Sequence, residues 1–244
     1  MHSDRSSVST LCALAVIAFI VACTAHEAIG HGLACLSTGG TVTLLTSALF
    51  RCSRSIPIVD AAGPLMNLCV AAVSAIALSR NKQNTTFTVF FGLLLAFSGF
   101  WGAGYFIFSA ITNTGDLAFV IRDLSLEPSW LWRCGTGIVG FWLYVIVLRK
   151  ASTSLPKGKP LVAAYCVAGV VACLSVIFYR GSSLLAFQDV ARESLLAPIG
   201  LLIIAFARPP SQTFFIPFSR VIVVSSAATV VVFWLTLGKG IYGA

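Results

Sequence analysis

The chain has 244 residues, of which 58% are hydrophobic and only 10% are charged. Soluble domains carry about 25% charged residues, so this composition excludes an ordinary water-exposed surface. Several apolar runs approach or exceed the roughly 18 to 20 residues that a helix needs to cross a bilayer. The net charge of +8 is spread over short loops, which favours contact with anionic lipid headgroups and argues against nucleic-acid binding.

We therefore expect an all-α polytopic membrane protein, a single integral membrane domain over 1–244, in a bacterial inner or plasma membrane. Six to seven transmembrane helices are predicted. A core of about 9–125 carries the chemistry, and additional helices fill about 129–238. The predicted spans cover about 9–35, 60–79, 87–112, 129–149, 161–179 and 220–238, with a kinked or half-length span at about 190–207 as the seventh.

A polar, β-prone stretch follows the first predicted span, at residues 38–58. Gly39 and Gly40 give a turn signal, and Val42 and Leu44 begin a short alternation of apolar and polar residues. This pattern predicts a short β-hairpin or a re-entrant segment after the first helix.

Two of the eight cysteines flank this stretch, whereas most of the others lie inside apolar runs. Cys35 and Cys52 could form a disulfide if the segment faces an oxidising compartment. The sequence leaves free buried thiols open as the alternative.

The segment HEAIGHG places three ionisable side chains, His26, Glu27 and His31, inside the first apolar run. Ionisable residues within a membrane span mark functional sites by default. Two imidazoles suit a metal ion, and a carboxylate beside them can take a proton from water. Two unrelated histidines, one of them in a buried polar network, remain the alternative reading.

The spacing of the two histidines is unusual for a shared metal. On a regular α-helix, residues five apart point about 140° from each other. A single π-type turn would add the residue needed to align His26 with His31, and Gly30 makes that distortion easier. The sequence therefore predicts a π-type turn in this part of the first helix.

Chain topology brings further polar groups to the same membrane depth. The first span ends near His31, the second begins near Asp60, and the third ends just before Asn113 and Asp116. Because successive spans cross in alternating directions, all three ends are predicted to meet on one side of the bundle.

The order of these features resembles the site-2 protease family of intramembrane zinc metalloproteases. That family places an H-E-x-x-H helix, a membrane-dipping β-segment and an A-G-P-x-x-N helix start in this order, followed by an aspartate that is the third zinc ligand. The resemblance covers about residues 20–120 of this chain. It is carried by the segment HEAIGHGLACLSTGG, the β-prone stretch after it and the segment AGPLMN. The longer H-E-x-x-x-H form itself resembles the zinc helix of dipeptidyl-peptidase III, and NTGDLAF stands where the family has an L-D-G segment.

The resemblance implies a Zn²⁺ ion held by His26, His31 and a third ligand. Asp116 is the preferred third ligand, with Asp60 left open as the alternative. Each aspartate could instead cap the amino terminus of a helix, which is a common use of this residue.

The resemblance also implies that Glu27 is the general base and that Asn67 stabilises the oxyanion that develops during peptide cleavage. A hydrogen bond between helices is an equally open role for Asn67. The expected function is cleavage of a peptide bond in or near the transmembrane segment of a partner protein, within the lipid bilayer. The alternative is a non-hydrolytic metal-binding membrane protein, either a transporter or a degenerate protease that binds its clients.

Overall fold

A computed structural model describes residues 7–54, 56–80, 85–207 and 215–243. In these ranges, six helices are long and apolar enough to cross a membrane. The predicted multi-helix architecture is confirmed to that extent. The helices of the described chain are α1 Val8–Ser37, α2 Pro57–Arg80, α3 Thr85–Thr112, α4 Asp116–Asp123, α5 Ser129–Ser152, α6 Lys159–Phe178, the broken helix α7 at 183–206 and α8 Arg220–Gly238.

Helix α1 contains the π-type turn that the histidine spacing predicts. It runs as an α-helix over Val8–Thr24, as a π-helix over Ala25–Gly32 and again as an α-helix over Leu33–Ser37. The π-helical part covers the whole of the histidine-glutamate segment. The π-helical segment is therefore longer than the single π-type turn that would be enough to align His26 with His31.

The β-prone stretch forms the predicted hairpin, with strands β1 Val42–Leu45 and β2 Phe50–Cys52 paired in antiparallel fashion. A third strand near the carboxyl end, β3 Ile241–Tyr242, pairs with the other edge of β1 and was not predicted. The strand order is β2-β1-β3, so β2 is an outer strand. A disulfide between Cys35 and Cys52 ties β2 to the end of α1.

Helix α3 lies at the centre of the bundle, where it packs on α1, α2 and α5. The core is rich in aromatic side chains. Phe19 of α1 meets Phe97 of α3 edge-on at 5.8 Å and stacks on Trp101 at 5.9 Å between ring centroids. These large rings fill the space between the two helices and fix how α1 sits against α3.

The structure corrects the start of the second span. Helix α2 begins at Pro57, three residues before the predicted start, and Asp60 lies in its first turn. Asp60 therefore does not cap this helix. The helix can begin as early as Pro57 because proline is well tolerated at the first position of a helix.

The predicted kinked span at 190–207 is a broken helix that starts at Ser183. It consists of Ser183–Ala191, a π-helix Arg192–Leu196, a 3₁₀ turn Ala197–Ile199 and Gly200–Phe206. It is not among the six helices long and apolar enough to span a membrane.

Two tyrosine hydroxyls satisfy the backbone groups at this break. Tyr144 donates to the carbonyl of Ala197 at 3.0 Å and accepts from the amide of Gly200 at 2.9 Å. Tyr165 donates to the carbonyl of Leu195 at 2.7 Å. A break in a helix surrounded by apolar side chains is stable only when its freed backbone groups find such partners. The irregular conformation of α7 is thus held by its neighbours α5 and α6.

The backbones of helices α1 and α2 approach each other closely at a glycine, Gly30. A Cβ atom on Gly30 would lie 2.7 Å from the carbonyl oxygen of Ala62 and 2.8 Å from the Cα atom of Gly63. Both neighbours are backbone atoms, so they cannot move away as a flexible side chain could. This contact sets the distance between the histidine segment and the start of α2.

We predict that Gly30→Ala destabilises the protein by about 1–3 kcal/mol, the usual cost of overpacking a well-packed contact. The measurement is the unfolding midpoint in a denaturing-detergent titration. Gly135→Ala is the matched control, since a Cβ at exposed Gly135 meets nothing within 4 Å. Alanine has the better helix propensity, so the control should be neutral or slightly more stable. Equal stability of both variants would contradict the close contact at Gly30.

Candidate metal centre

The two histidines point to one place because the helix between them is a π-helix. In this conformation residues five apart are in register, since the backbone hydrogen bonds join residues i and i+5. The Nε2 atoms of His26 and His31 lie 3.2 Å from each other. Both side chains are buried. The inserted residue of the H-E-x-x-x-H segment therefore does not separate the imidazoles.

Asp116 completes a group of three potential metal ligands. The chain leaves α3 through Asn113 and Gly115, both with positive φ angles, and this turn places Asp116 at the start of α4. Its Oδ2 atom lies 3.5 Å from Nε2 of His26 and 3.5 Å from Nε2 of His31. Thus residues from the ends of α1 and α3 meet, as the alternating crossings of the spans predict.

Of the two carboxylates left open as a third ligand, Asp116 is the one that the structure brings to the histidines. The group of potential metal ligands found among the described residues is His26, His31 and Asp116. Asp60, in the first turn of α2, does not belong to this group.

Two observations show that the three residues fit a metal ion. Oδ2 of Asp116 is buried and makes no hydrogen bond. The second observation concerns Gly63, where an added Cβ atom would collide with the Nε2 atoms of both histidines. A glycine at this position therefore keeps open the space into which the ligand atoms point. The group could bind a metal ion on these grounds, and its donors alone do not identify the metal.

The charge of the carboxylate also suits this role. Burial by itself raises the pKa of the Asp116 carboxyl, but the neighbouring His31 and His26 imidazoles lower it well below its ordinary value. The lowered pKa favours the ionised form of Asp116, which is the form that binds a metal.

Each imidazole is held from its far side. Nδ1 of His31 lies 2.7 Å from the carbonyl oxygen of Val59, to which it donates, and this leaves Nε2 free as a ligand. Nδ1 of His26 lies 3.1 Å from the fully buried amide of Asn67, whose Oδ1 has no partner. With the amide flipped, Oδ1 of Asn67 would accept a hydrogen bond from the Nδ1–H group of His26.

Aromatic rings fix the imidazole planes. Trp101 and Tyr105, both on α3, stack on His26 with ring centroids at 5.0 and 5.1 Å. Phe50 of β2 stacks on His31 at 5.2 Å. Sequence reasoning missed these three residues. Trp101 and Tyr105 are four apart, which places them on one face of a helix, but nothing in the sequence links that face to His26.

Glu27 is buried next to the metal ligands, and its Oε2 atom has no hydrogen-bond partner. Its carboxyl group interacts electrostatically with His31 and Asp116. A buried carboxylate with an unpartnered oxygen, next in sequence to a potential metal ligand, has the chemistry of a general base.

A second buried glutamate, Glu193, was also missed by sequence reasoning. It lies in the π-helical part of α7, and Tyr105 donates a hydrogen bond to its Oε1 atom at 2.6 Å. The other oxygen, Oε2, has no partner. One Tyr105 side chain thus touches both His26 and Glu193. The only signal in the sequence is a short polar segment with Asp189, Arg192 and Glu193 before an apolar run, which is common and carries little information.

No protein-family model, curated protein or solved structure matches this chain.

We predict that the purified protein binds about one metal ion per chain, and that His31→Ala and Asp116→Ala both lose it because two ligands cannot hold a catalytic-type site alone. Metal content is measured by mass spectrometry on detergent-purified protein. Asp60→Asn is the matched control and should keep the metal, since Asp60 lies outside the ligand group. Metal loss in Asp60→Asn but not in Asp116→Ala would reverse the assignment of the third ligand.

Proposed function

We propose that the protein is an intramembrane zinc metalloprotease that cleaves a peptide bond in or near the transmembrane segment of a partner protein. The observation that carries this proposal is the group formed by the Asp116 carboxylate and the two buried imidazoles, which lie with Glu27 in the π-helical part of α1. Its resemblance to the arrangement of site-2 proteases supports the reaction type. The six apolar helices support a substrate that lies in the bilayer.

The separations of the ligand atoms support zinc. Zinc binds nitrogen and oxygen ligands at about 2.0–2.1 Å in tetrahedral geometry, so neighbouring ligand atoms lie about 3.3–3.4 Å from each other. The three separations in this group are 3.2, 3.5 and 3.5 Å. Three protein ligands leave the fourth tetrahedral position open, which is typical of catalytic rather than structural zinc sites.

Glu27 and Asn67 have separate roles in the proposed reaction. A bound zinc ion would supply Lewis acidity, which makes water more acidic and polarises a peptide carbonyl. Glu27 accepts the proton of the attacking water and returns it to the amine of the departing peptide. Asn67 holds His26 in place through Nδ1, and its amide also remains our candidate for stabilising the oxyanion.

The small sheet suggests how a membrane segment would be presented to the site. A peptide bond within a helix is shielded, so the substrate must unwind and its freed backbone groups need partners. An outer strand can supply them by pairing with the unwound segment. Strand β3 already covers one edge of β1, and among the described residues no strand pairs with the outer edge of β2, whose Phe50 stacks on His31. We therefore assign substrate pairing to β2.

We predict that Glu27→Gln keeps the metal but lowers cleavage by about 10²- to 10⁴-fold, the usual contribution of a general base. Mass spectrometry of labelled new amino termini in membranes that contain the protein measures cleavage even while the substrate is unidentified. New termini inside predicted transmembrane segments should appear with the wild type and be missing with Glu27→Gln.

Glu127→Gln is the matched control for this experiment, since Glu127 is exposed and lies outside the ligand group. It should produce the same termini as the wild type. If a metal-loaded wild type and Glu27→Gln gave identical termini, the protease proposal would fail and a non-hydrolytic metal-binding protein would replace it.

We predict that Leu44→Pro abolishes cleavage while metal remains bound. Leu44 is the central residue of β1 and pairs with both Arg51 of β2 and Tyr242 of β3, so a proline there breaks the sheet. Leu44→Val, which retains the strand, serves as the control and should stay active. Cleavage by Leu44→Pro at the wild-type rate would refute the pairing of substrate with the sheet.

A further inference from the structure

The helix bundle has two ends that differ in charge. The metal-centre end carries the small sheet and Asp116, and the basic end is the opposite one, where α2, α5 and α7 end and α3, α6 and α8 begin. Hydrogen bonds join the chain segments of the basic end. The amide of Gly158, before α6, donates to the carbonyl of Ala205 in α7 at 2.9 Å, and the amide of Ser219, before α8, donates to the hydroxyl of Thr10 in α1 at 3.0 Å.

Five exposed cationic side chains lie at the basic end, namely Arg80, Arg149, Lys150, Lys159 and Arg220. Within the described ranges, none of these side chains forms a hydrogen bond or an ion pair with the protein. No described Asp or Glu lies at this end either. The positive charge of the basic end is therefore not balanced by the described part of the chain.

At the metal-centre end, cations lie among carboxylates or bind to the protein itself. Arg122 lies 3.5 Å from Asp123, and Arg133 donates to the carbonyl of Ala110 at 2.8 Å. The Asp and Glu residues of the described chain all lie at this end or around the metal centre; they are Glu27, Asp60, Asp116, Asp123, Glu127, Asp189 and Glu193. The difference between the two ends thus comes from the carboxylates.

Exposed apolar side chains lie next to the cations of the basic end. Ile76, Ile146 and Val221 are exposed, and each lies within four residues of one of the five cations on the same helix. Apolar side chains followed by cations at the end of a long helix match acyl chains followed by headgroups. An anionic phospholipid offers a partner to both groups, whereas a nucleic acid or a soluble acidic protein would leave the apolar side chains in water.

The disulfide indicates separately which compartment each end faces. Cys35 and Cys52 are bonded at the metal-centre end, where they join α1 to β2. Disulfides persist in oxidising compartments and are rare in the cytoplasm. The opposite, basic end would then face the cytoplasm, and the cytoplasmic leaflet is the one that carries a negative surface potential. The disulfide and the charge distribution therefore favour the same orientation.

We propose that the basic end binds the headgroups of anionic phospholipids in the cytoplasmic leaflet, and that the metal centre lies towards the oxidising compartment on the other side of the membrane. This orientation does not depend on the proposed protease activity. One consequence does rest on that proposed function: a client would be cut in the half of its transmembrane segment that is nearer the oxidising compartment.

The orientation is tested with single added cysteines in spheroplasts of an expressing bacterium, labelled with a maleimide-polyethylene glycol that does not cross membranes. Ser182→Cys is exposed between α6 and α7 at the metal-centre end, and Thr153→Cys is exposed after α5 at the basic end. Ser182→Cys should gain one label over the wild type in intact spheroplasts, and Thr153→Cys should gain it only after lysis. The opposite pattern, or equal labelling before lysis, would overturn the proposal.

The state of the cysteine pair is measured in the same cells. Free thiols are blocked with N-ethylmaleimide during lysis, and disulfides are then reduced and labelled. We expect two labels per wild-type chain and none with Cys35→Ser, because this variant leaves Cys52 without its partner. A wild-type chain without these labels would have reduced cysteines, which would overturn the assignment of the metal-centre end to an oxidising compartment.

Lipid binding is tested with the full-length protein in nanodiscs of equal parts palmitoyl-oleoyl phosphatidylglycerol and phosphatidylcholine. The lipids that stay bound after extraction into mild detergent are counted by mass spectrometry. We expect phosphatidylglycerol to be enriched with the wild type. Lys150→Gln combined with Lys159→Gln should lower its enrichment by up to about fivefold for each cation removed, at low ionic strength.

The matched control combines Arg180→Gln with Lys239→Gln, which removes two exposed cations from the metal-centre end. It should retain the wild-type enrichment, and thermal unfolding shows whether each variant is folded. An equal loss of phosphatidylglycerol in both double variants, or no enrichment with the wild type, would overturn lipid binding by the basic end.

The outcomes are separate from those of the protease proposal. The expected labelling and lipid enrichment without any new amino termini would support this orientation and refute the protease. New termini that depend on Glu27, together with the opposite labelling pattern, would support the protease and overturn the orientation.

Discussion

The candidate site depends on one departure from regular helix geometry, the π-helix Ala25–Gly32. With α-helical geometry His26 and His31 would diverge by about 140° and could share no metal. With π geometry their Nε2 atoms lie 3.2 Å from each other. A wider helix is less favourable locally, so it must be held by its surroundings. Here Val59 and Asn67 hold the imidazoles from behind, and the disulfide between Cys35 and Cys52 holds the end of the helix.

The close approach of α1 to α2 serves the same site from the other side. Gly30 lets the two backbones touch, and Gly63 leaves the space in front of both Nε2 atoms empty. The missing Cβ atom thus has a different effect at each glycine. At Gly30 it allows contact between two helix backbones, and at Gly63 it leaves room beside the ligand atoms of the histidines. Aromatic rings from α3 and β2 stack on the imidazoles and fix the planes in which their ligand atoms lie.

Local sequence signals were sufficient for several elements. Gly39 and Gly40 marked the hairpin, the apolar runs marked the six long helices, and the hypothesis that His26 and His31 share a metal predicted a π-type turn. The pairing of Cys35 with Cys52, which the sequence left open beside free thiols, is a disulfide in the structure. Strand β3 had no such signal, because it depends on a partner distant in sequence, β1. The kink in α7 was predicted, but the two tyrosines that hold its broken backbone come from other helices and gave no signal.

The sequence by itself determined that the chain has helices long and apolar enough to cross a membrane, and it determined the chemical types of the candidate ligands, since both follow from which residues are present and how they are spaced. Only the tertiary structure decided that Asp116 rather than Asp60 joins the histidines, because that choice depends on how the ends of α3 and α2 are oriented. It alone revealed Glu193 behind Tyr105. A buried polar pair is formed by packing between helices, and no spacing along one helix encodes a contact between residues 88 positions apart.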